Sequence, residues 1–155
     1  MRLLALSTAL LVLASCQQGP SPVVTPVPGE GAISIQVVPN PIVAKRASGD
    51  TYDFPFEVVV RETGGRAVNV NRVTARVMLP GGFPVANESW DAERIRSMGF
   101  GTTVAANGEL RYRFTPRKDV PDERLFNGVS AELRVEATDD TGKATDATTT
   151  VTVTR

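Results

Sequence analysis

Histidine is absent from all 155 residues, and cysteine and tryptophan occur once each. Without histidine, the Ser/His and Cys/His nucleophile pairs and the usual proton shuttle are excluded. One cysteine allows no disulfide within the chain, and without histidine it cannot furnish an ordinary zinc site. A glycine-rich phosphate loop is missing as well: Gly64-Gly65 and Gly81-Gly82 precede neither a Lys-Ser/Thr pair nor a helix, and read as turns. Nor does one sign of charge dominate. The 17 basic residues balance 17 acidic ones, which excludes the basic excess of a nucleic-acid-binding protein. No apolar run reaches the roughly 20 residues that a helix needs to cross a bilayer, and no residue pattern calls for a cofactor.

What is present begins at the N-terminus. Arg2 and the free amine supply positive charge ahead of an apolar run from Leu3 to Leu13, the build of an export signal. The run ends in Leu13-Ala14-Ser15-Cys16. This tetrad resembles the lipobox of bacterial lipoproteins, a branched apolar residue and two small ones before an invariant cysteine. The resemblance implies that residues 1–15 are a cleaved signal peptide and that the thiol of Cys16 carries a diacylglycerol, with the new amine acylated by a fatty acid such as palmitate. Two or more fatty chains make dissociation from a membrane negligible, whereas one holds a protein only marginally. Gln17 follows the cysteine, where an aspartate favours inner-membrane retention in that family. The resemblance therefore implies a lipid-anchored protein of the cell envelope, in the outer rather than the inner membrane where the cell has both.

Residues 16–31 contain Pro20, Pro22, Pro26 and Pro28 with Gly19, Gly29 and Gly31, and read as a Pro/Gly-rich tether that spaces a domain from the lipid surface. Residues 32–155 suffice for one core. There the pattern alternates with period two: Ile33, Ile35 and Val37; then Tyr52, Phe54, Phe56, Val58 and Val60, with Pro55 marking an edge or bulge. Val68 and Val70 keep one parity and Val73, Ala75, Val77 and Leu79 the other, so a bulge is expected near Asn71-Arg72. Asn107-Gly108 predicts a tight hairpin into Leu110, Tyr112 and Phe114.

The clearest hairpin comes last. Val129, Ala131, Leu133, Val135 and Ala137 alternate with polar residues, Asp140-Thr141-Gly142-Lys143 turns the chain, and Ala147, Thr149, Val151 and Val153 return. These elements predict an all-β, antiparallel sandwich of seven or eight strands. The stretch from Val135 to Lys143 with the Thr/Val strand after it resembles the closing hairpin of bacterial immunoglobulin-like and fibronectin III-like domains. That resemblance implies an immunoglobulin-like β-sandwich. The antibody-type cysteine pair is absent.

Residues 81–101 break the alternation and are expected to be a connecting loop with one short helix from an N-cap at Asn87 or Ser89 through Trp90 to Met98, stopped by Gly99. They also hold Phe83, Trp90, Ile95, Met98 and Phe100. Two readings stand: these groups plug one end of the sandwich, or Phe83, Trp90, Met98 and Phe100 form an exposed binding patch.

Among charged groups, Asp139-Asp140 is expected to cap a turn rather than act on substrate. A calcium site from Asp139, Asp140 and Asp146 is chemically conceivable, yet the spacing does not match an alternating acidic loop. Arg111, Arg113, Arg117 and Lys118 interleave with acidic residues as a solvated face. The favoured function is a non-catalytic binding or structural module meeting a protein or an envelope polymer. The alternative is an envelope glycan hydrolase working through loop carboxylates.

Overall fold

A computed structural model describes residues 28–155 of the chain. The expected signal segment, Cys16 and most of the expected tether lie outside these residues.

The strands run in chain order as β1 Ile33–Val38, β2 Ile42–Val43, β3 Lys45–Ser48, β4 Thr51–Asp53, β5 Phe56–Glu62, β6 Val68–Leu79, β7 Phe83–Asp91, β8 Thr103–Val104, β9 Glu109–Phe114, β10 Arg117–Asp119, β11 Ser130–Asp139 and β12 Ala144–Thr154. A helix, α1 Ala92–Ser97, follows β7, and a 3-10 turn spans Glu123–Phe126. One main sheet has the order β1-β5-β9; the other runs β2-β12-β11-β6-β7, with β8 beside the start of β6. A small sheet β10-β4-β3 lies apart from both.

The first strand is shared between the two main sheets. β1 pairs antiparallel with β5, the chain crosses over at Pro39-Asn40-Pro41, and β2 then pairs parallel with β12. Together with the central β11-β6 pairing, this is the strand order of an immunoglobulin-like sandwich. The core lies between the sheets and takes the predicted inward residues: Leu133, Val135, Val58, Val60 and Val73 are wholly buried. The parity change in β6 occurs where expected. Asn71 is the extra residue, since Arg72 faces Glu136 while Val70 faces Ala137.

Three expectations need correction. The run 52–60 is not one strand, because Phe54-Pro55 breaks it into β4 and β5, which belong to different sheets; Pro55 has no N–H to donate to a ladder. Asn107-Gly108 is a turn with Asn107 at φ 54°, but no hairpin forms. β8 pairs with β6 while β9 pairs with β5, so the turn carries the chain from one sheet to the other. Finally, residues 81–101 are not a loop. Phe83 to Asp91 form a nine-residue edge strand on β6, and the helix begins only at Ala92, with the Asp91 carboxylate accepting from the Arg94 N–H at 2.8 Å as its N-cap. Asn87 and Ser89 are taken up in the ladder and cannot cap.

Two poles result from this topology. Ile33, Glu62, Val68, Glu109 and Asp139 lie at the end where the tether joins. Val38, Phe56, Leu79, Phe83, Phe114, Ser130 and Thr154 lie at the other.

Candidate functional site

The four apolar residues expected to form a patch are not brought together. Trp90 opposes Val73 across the β6-β7 ladder, is 3% exposed, and stacks on Phe114 with centroids 4.1 Å apart. Its indole is closed in the core, with the Arg94 guanidinium over the ring at 5.6 Å. Phe100 packs edge-on against Tyr112 at 5.9 Å, and Ile95 is fully buried. Met98, 41% exposed, ends α1 near the middle of the sandwich edge, whereas Phe83, 69% exposed, stands at the pole away from the tether. The segment thus closes the core through Trp90, Ile95 and Phe100 and leaves Phe83 free.

The carboxylates are also spoken for. Asp139, buried, accepts through Oδ1 from the Thr141 hydroxyl at 2.6 Å and from the Thr141 and Lys143 N–H groups at 2.9 Å, and through Oδ2 from the Gly31 N–H at 3.2 Å. The Thr141 hydroxyl and these N–H donors hold its carboxyl far below the ordinary range. Asp140 turns instead to Arg66 at 2.8 Å, and Asp146 to Arg134 at 3.3 Å. The three do not converge. Among the described residues no group of acidic side chains is placed to hold a metal ion.

Glu62 was not singled out by its sequence position, yet it accepts as many hydrogen bonds as Asp139, four. It continues the inward parity of Phe56, Val58 and Val60, and that is the signal that could have revealed it. Its oxygens accept from the N–H groups of Gly64 at 2.7 Å, Asn107 at 2.8 Å, Gly65 at 3.0 Å and Ala32 at 3.2 Å. Burial alone would raise its pKa, but the four donors outweigh burial and the net shift is downward. Glu62 and Asp139 therefore lock the first residues of the domain, and Arg66 adds a bond to the Gly29 carbonyl at 2.7 Å.

Elsewhere, Asp53, Glu57, Glu88 and Glu109 are likewise shifted downward by arginine or lysine partners. A glycosidase acid needs the opposite, a carboxyl pushed up so that it keeps its proton near neutrality. Arg61, Glu109, Arg111, Glu57 and Arg113 instead form an ion-pair ladder across the outer face of the β1-β5-β9 sheet, under which Val59 is buried. The phenol of Tyr112 is buried without a protein partner, and burial pushes its pKa up.

A recess remains at the pole opposite the tether. It measures about 250 Å³ between the two main sheets, floored by Phe56, Ala75, Val77 and Leu133 and walled by Phe54, Leu79, Pro116, Val120, Phe126 and Val129. Val85, 54% exposed, and Leu125, 42% exposed, stand at its mouth, near Phe83. An ion pair across the mouth joins Lys118 of β10 to Glu88 of β7 at 2.9 Å, and Glu88 also meets Arg94 at 3.3 Å. Glu88 has inward parity opposite Ala75, and with Lys118 and Asp119 it places charge at a mainly apolar opening. A concave, mainly apolar site with a few placed polar groups is the usual form of a binding pocket, here slightly smaller than the about 300–1,000 Å³ typical of small-molecule sites. Its lining comes from β2, β5, β6, β7, β11, β12 and the 114–129 connection, so no local sequence motif could have announced it.

No family model matches the chain, and no curated protein matches it. Among solved structures it is similar to Northeast Structural Genomics Consortium target SoR45, with a TM-score of 0.56 at 13% identity over 79% of this chain and 86% of that one. It also aligns with a Bordetella pertussis protein solved under the name ApaA (TM-score 0.49, 13% identity, 84% of this chain and 99% of that one). A third alignment is to the CARDB domain of a Pyrococcus furiosus protein (TM-score 0.39, 13% identity, 83% and 93%). At such identities the likeness is one of fold alone.

Proposed function

We propose that the chain is a lipid-anchored module of a bacterial cell envelope, without catalysis of its own, which takes an apolar group of its partner into the recess opposite the tether. The observation that carries this reading is polarity along the molecule. The chain enters the domain at the pole locked by Glu62 and Asp139, while exposed Phe83, Val85 and Leu125 gather with the recess at the other. A domain held by its near end presents its far end. Exposed apolar side chains around an apolar opening mark a binding surface on a rigid scaffold. The lowered carboxylates favour this over glycan hydrolysis.

A photo-crosslinking amino acid placed at Phe83 in living cells should join the chain to a discrete envelope component, and the same group at Thr141, on the tether pole, should not. Val85→Glu should abolish the product at Phe83 while leaving the thermal midpoint within a few degrees of the parent. Equal labelling from both poles, or labelling indifferent to Val85→Glu, would sink the proposal.

A further inference from the structure

The hydrogen bonds of the last hairpin fix which residues of β12 face away from the sheet. Asp139 N–H donates to the Lys143 carbonyl at 2.8 Å and Val153 N–H to the Val129 carbonyl at 3.1 Å, so the odd-numbered residues from 143 to 153 turn their backbone toward β11. Ala144, Asp146, Thr148, Thr150 and Thr152 therefore turn N–H and C=O outward, along an edge about 27 Å long at roughly 3.3 Å per residue. β2 covers only the end of that edge, at Val153 and Thr154, where the Ala44 N–H donates to the Thr154 carbonyl at 2.7 Å. No other strand among the described residues pairs with it.

Burial shows the same gap. On β11 the inward residues Ala131, Leu133, Val135 and Ala137 are fully buried, whereas Thr145, Ala147 and Thr149 on β12, of the same parity, are only half-buried. The hydrogen-bonded ladder stops at β12 along this stretch, with β1 of the other sheet close by but not paired to it. Other edges carry the devices that discourage pairing: β7 has Pro84, a bulge and inward-facing Glu88; β9 carries Arg111 and Arg113 and runs on toward Pro116; β1 runs into Pro39 and Pro41. Between Ala144 and Thr154, β12 has no proline, no lysine and no bulge, and threonine and valine predominate.

We propose that this edge pairs with the same edge of a second copy, antiparallel, about a two-fold axis at Thr148. That register alone uses every free outward residue from Ala144 to Thr152 while keeping clear of β2. It sets Thr148 opposite Thr148, Asp146 opposite Thr150 and Ala144 opposite Thr152. No like charges meet, since Asp146 faces threonine and is already paired with Arg134 at 3.3 Å. Each β-branched pair is favourable, and one self-complementary patch closes the assembly as a dimer. The inference is independent of the recess and of the lipid anchor.

The test uses the full chain with Cys16→Ser and Thr148→Cys, so that the introduced thiol is the one cysteine present. In the proposed register the two thiols lie on facing residues about 5.5 Å apart between Cα atoms, within disulfide range. Mild oxidation of cells should convert most of Thr148→Cys to a disulfide-linked dimer, at least tenfold more than Thr152→Cys, whose thiols would lie about 26 Å apart. Adding Thr150→Lys should remove the product, and Thr150→Lys alone should halve the mass of the parent in sedimentation with its thermal midpoint unchanged. Equal cross-linking at the two positions, a monomeric parent, or a dominant cross-link to a different protein would each overturn the pairing.

Discussion

Glu62 and Asp139 show how much a single buried carboxylate can organise. Each gathers donors from distant parts of the chain: Glu62 from residues 32, 64, 65 and 107, and Asp139 from residues 31, 141 and 143. Both carboxyls are held below their usual values, so the unfolded chain takes up protons before the folded one does as pH falls. The stabilisation is complete above the unfolded pKa of about 4 and is lost as pH drops toward the folded values. The parent should therefore lose thermal stability steeply below about pH 4. Glu62→Gln should be less stable near neutrality by about 1–3 kcal/mol, the cost of leaving buried N–H groups poorly paired. It should also show a shallower fall between pH 4 and pH 2, measured by thermal denaturation; an identical slope would remove Glu62 from the account. The turn role of Asp139 was legible from Asp139-Asp140-Thr141-Gly142. Its bond to Gly31 was not, because no local pattern relates residues 108 positions apart.

The β11-β12 hairpin was the most legible element, and its pairing keeps the predicted parity throughout: Leu133 faces Thr149 and Ala131 faces Val151. Leu133 is wholly buried and Thr152 exposed. Leu133→Ala should then cost about 2–5 kcal/mol in denaturant titration, and Thr152→Ala less than about 0.5 kcal/mol. Equal costs would place the register one residue off. The β7 strand was illegible for a physical reason. Its inward positions hold Ala86, Glu88 and Trp90, and a bulge at Val85, opposite the Val77-Met78 step of β6, shifts the parity at Pro84 and Phe83, so period two is lost in the sequence though the ladder forms. An edge strand that carries proline, an inward charge and a bulge gains protection from stray pairing and loses its signature. The same reasoning explains 52–60, where Phe54, placed by parity with Phe56, belongs instead to a chain that leaves the sheet at Pro55 and packs toward Phe126.

Taken as one body, the domain would, on the proposed function, separate attachment from presentation. The residues that fix its first turn act at one pole: Glu62, Asp139, Arg66, and Lys143 paired with Glu30. The recess with Val85 and Leu125 lies at the other. The core between them draws on both sheets, with Trp90, Phe56 and Phe114 in contact. The core members lie between Ile33 and Val153, so loss of a lipid at Cys16 should leave the fold intact. Cys16→Ser should accordingly move the chain from the membrane fraction to the soluble one, or leave its signal segment uncleaved, with loss of detergent partitioning. Trp90 should keep the blue-shifted, poorly quenched emission of a ring 3% exposed. Val85→Glu should do the converse, staying with the membrane while losing the partner. A Cys16→Ser chain that remains in the membrane fraction would defeat the lipid anchor. One that leaves the membrane with its tryptophan newly accessible to quenchers would show instead that attachment and folding are coupled, against the separation of the two poles.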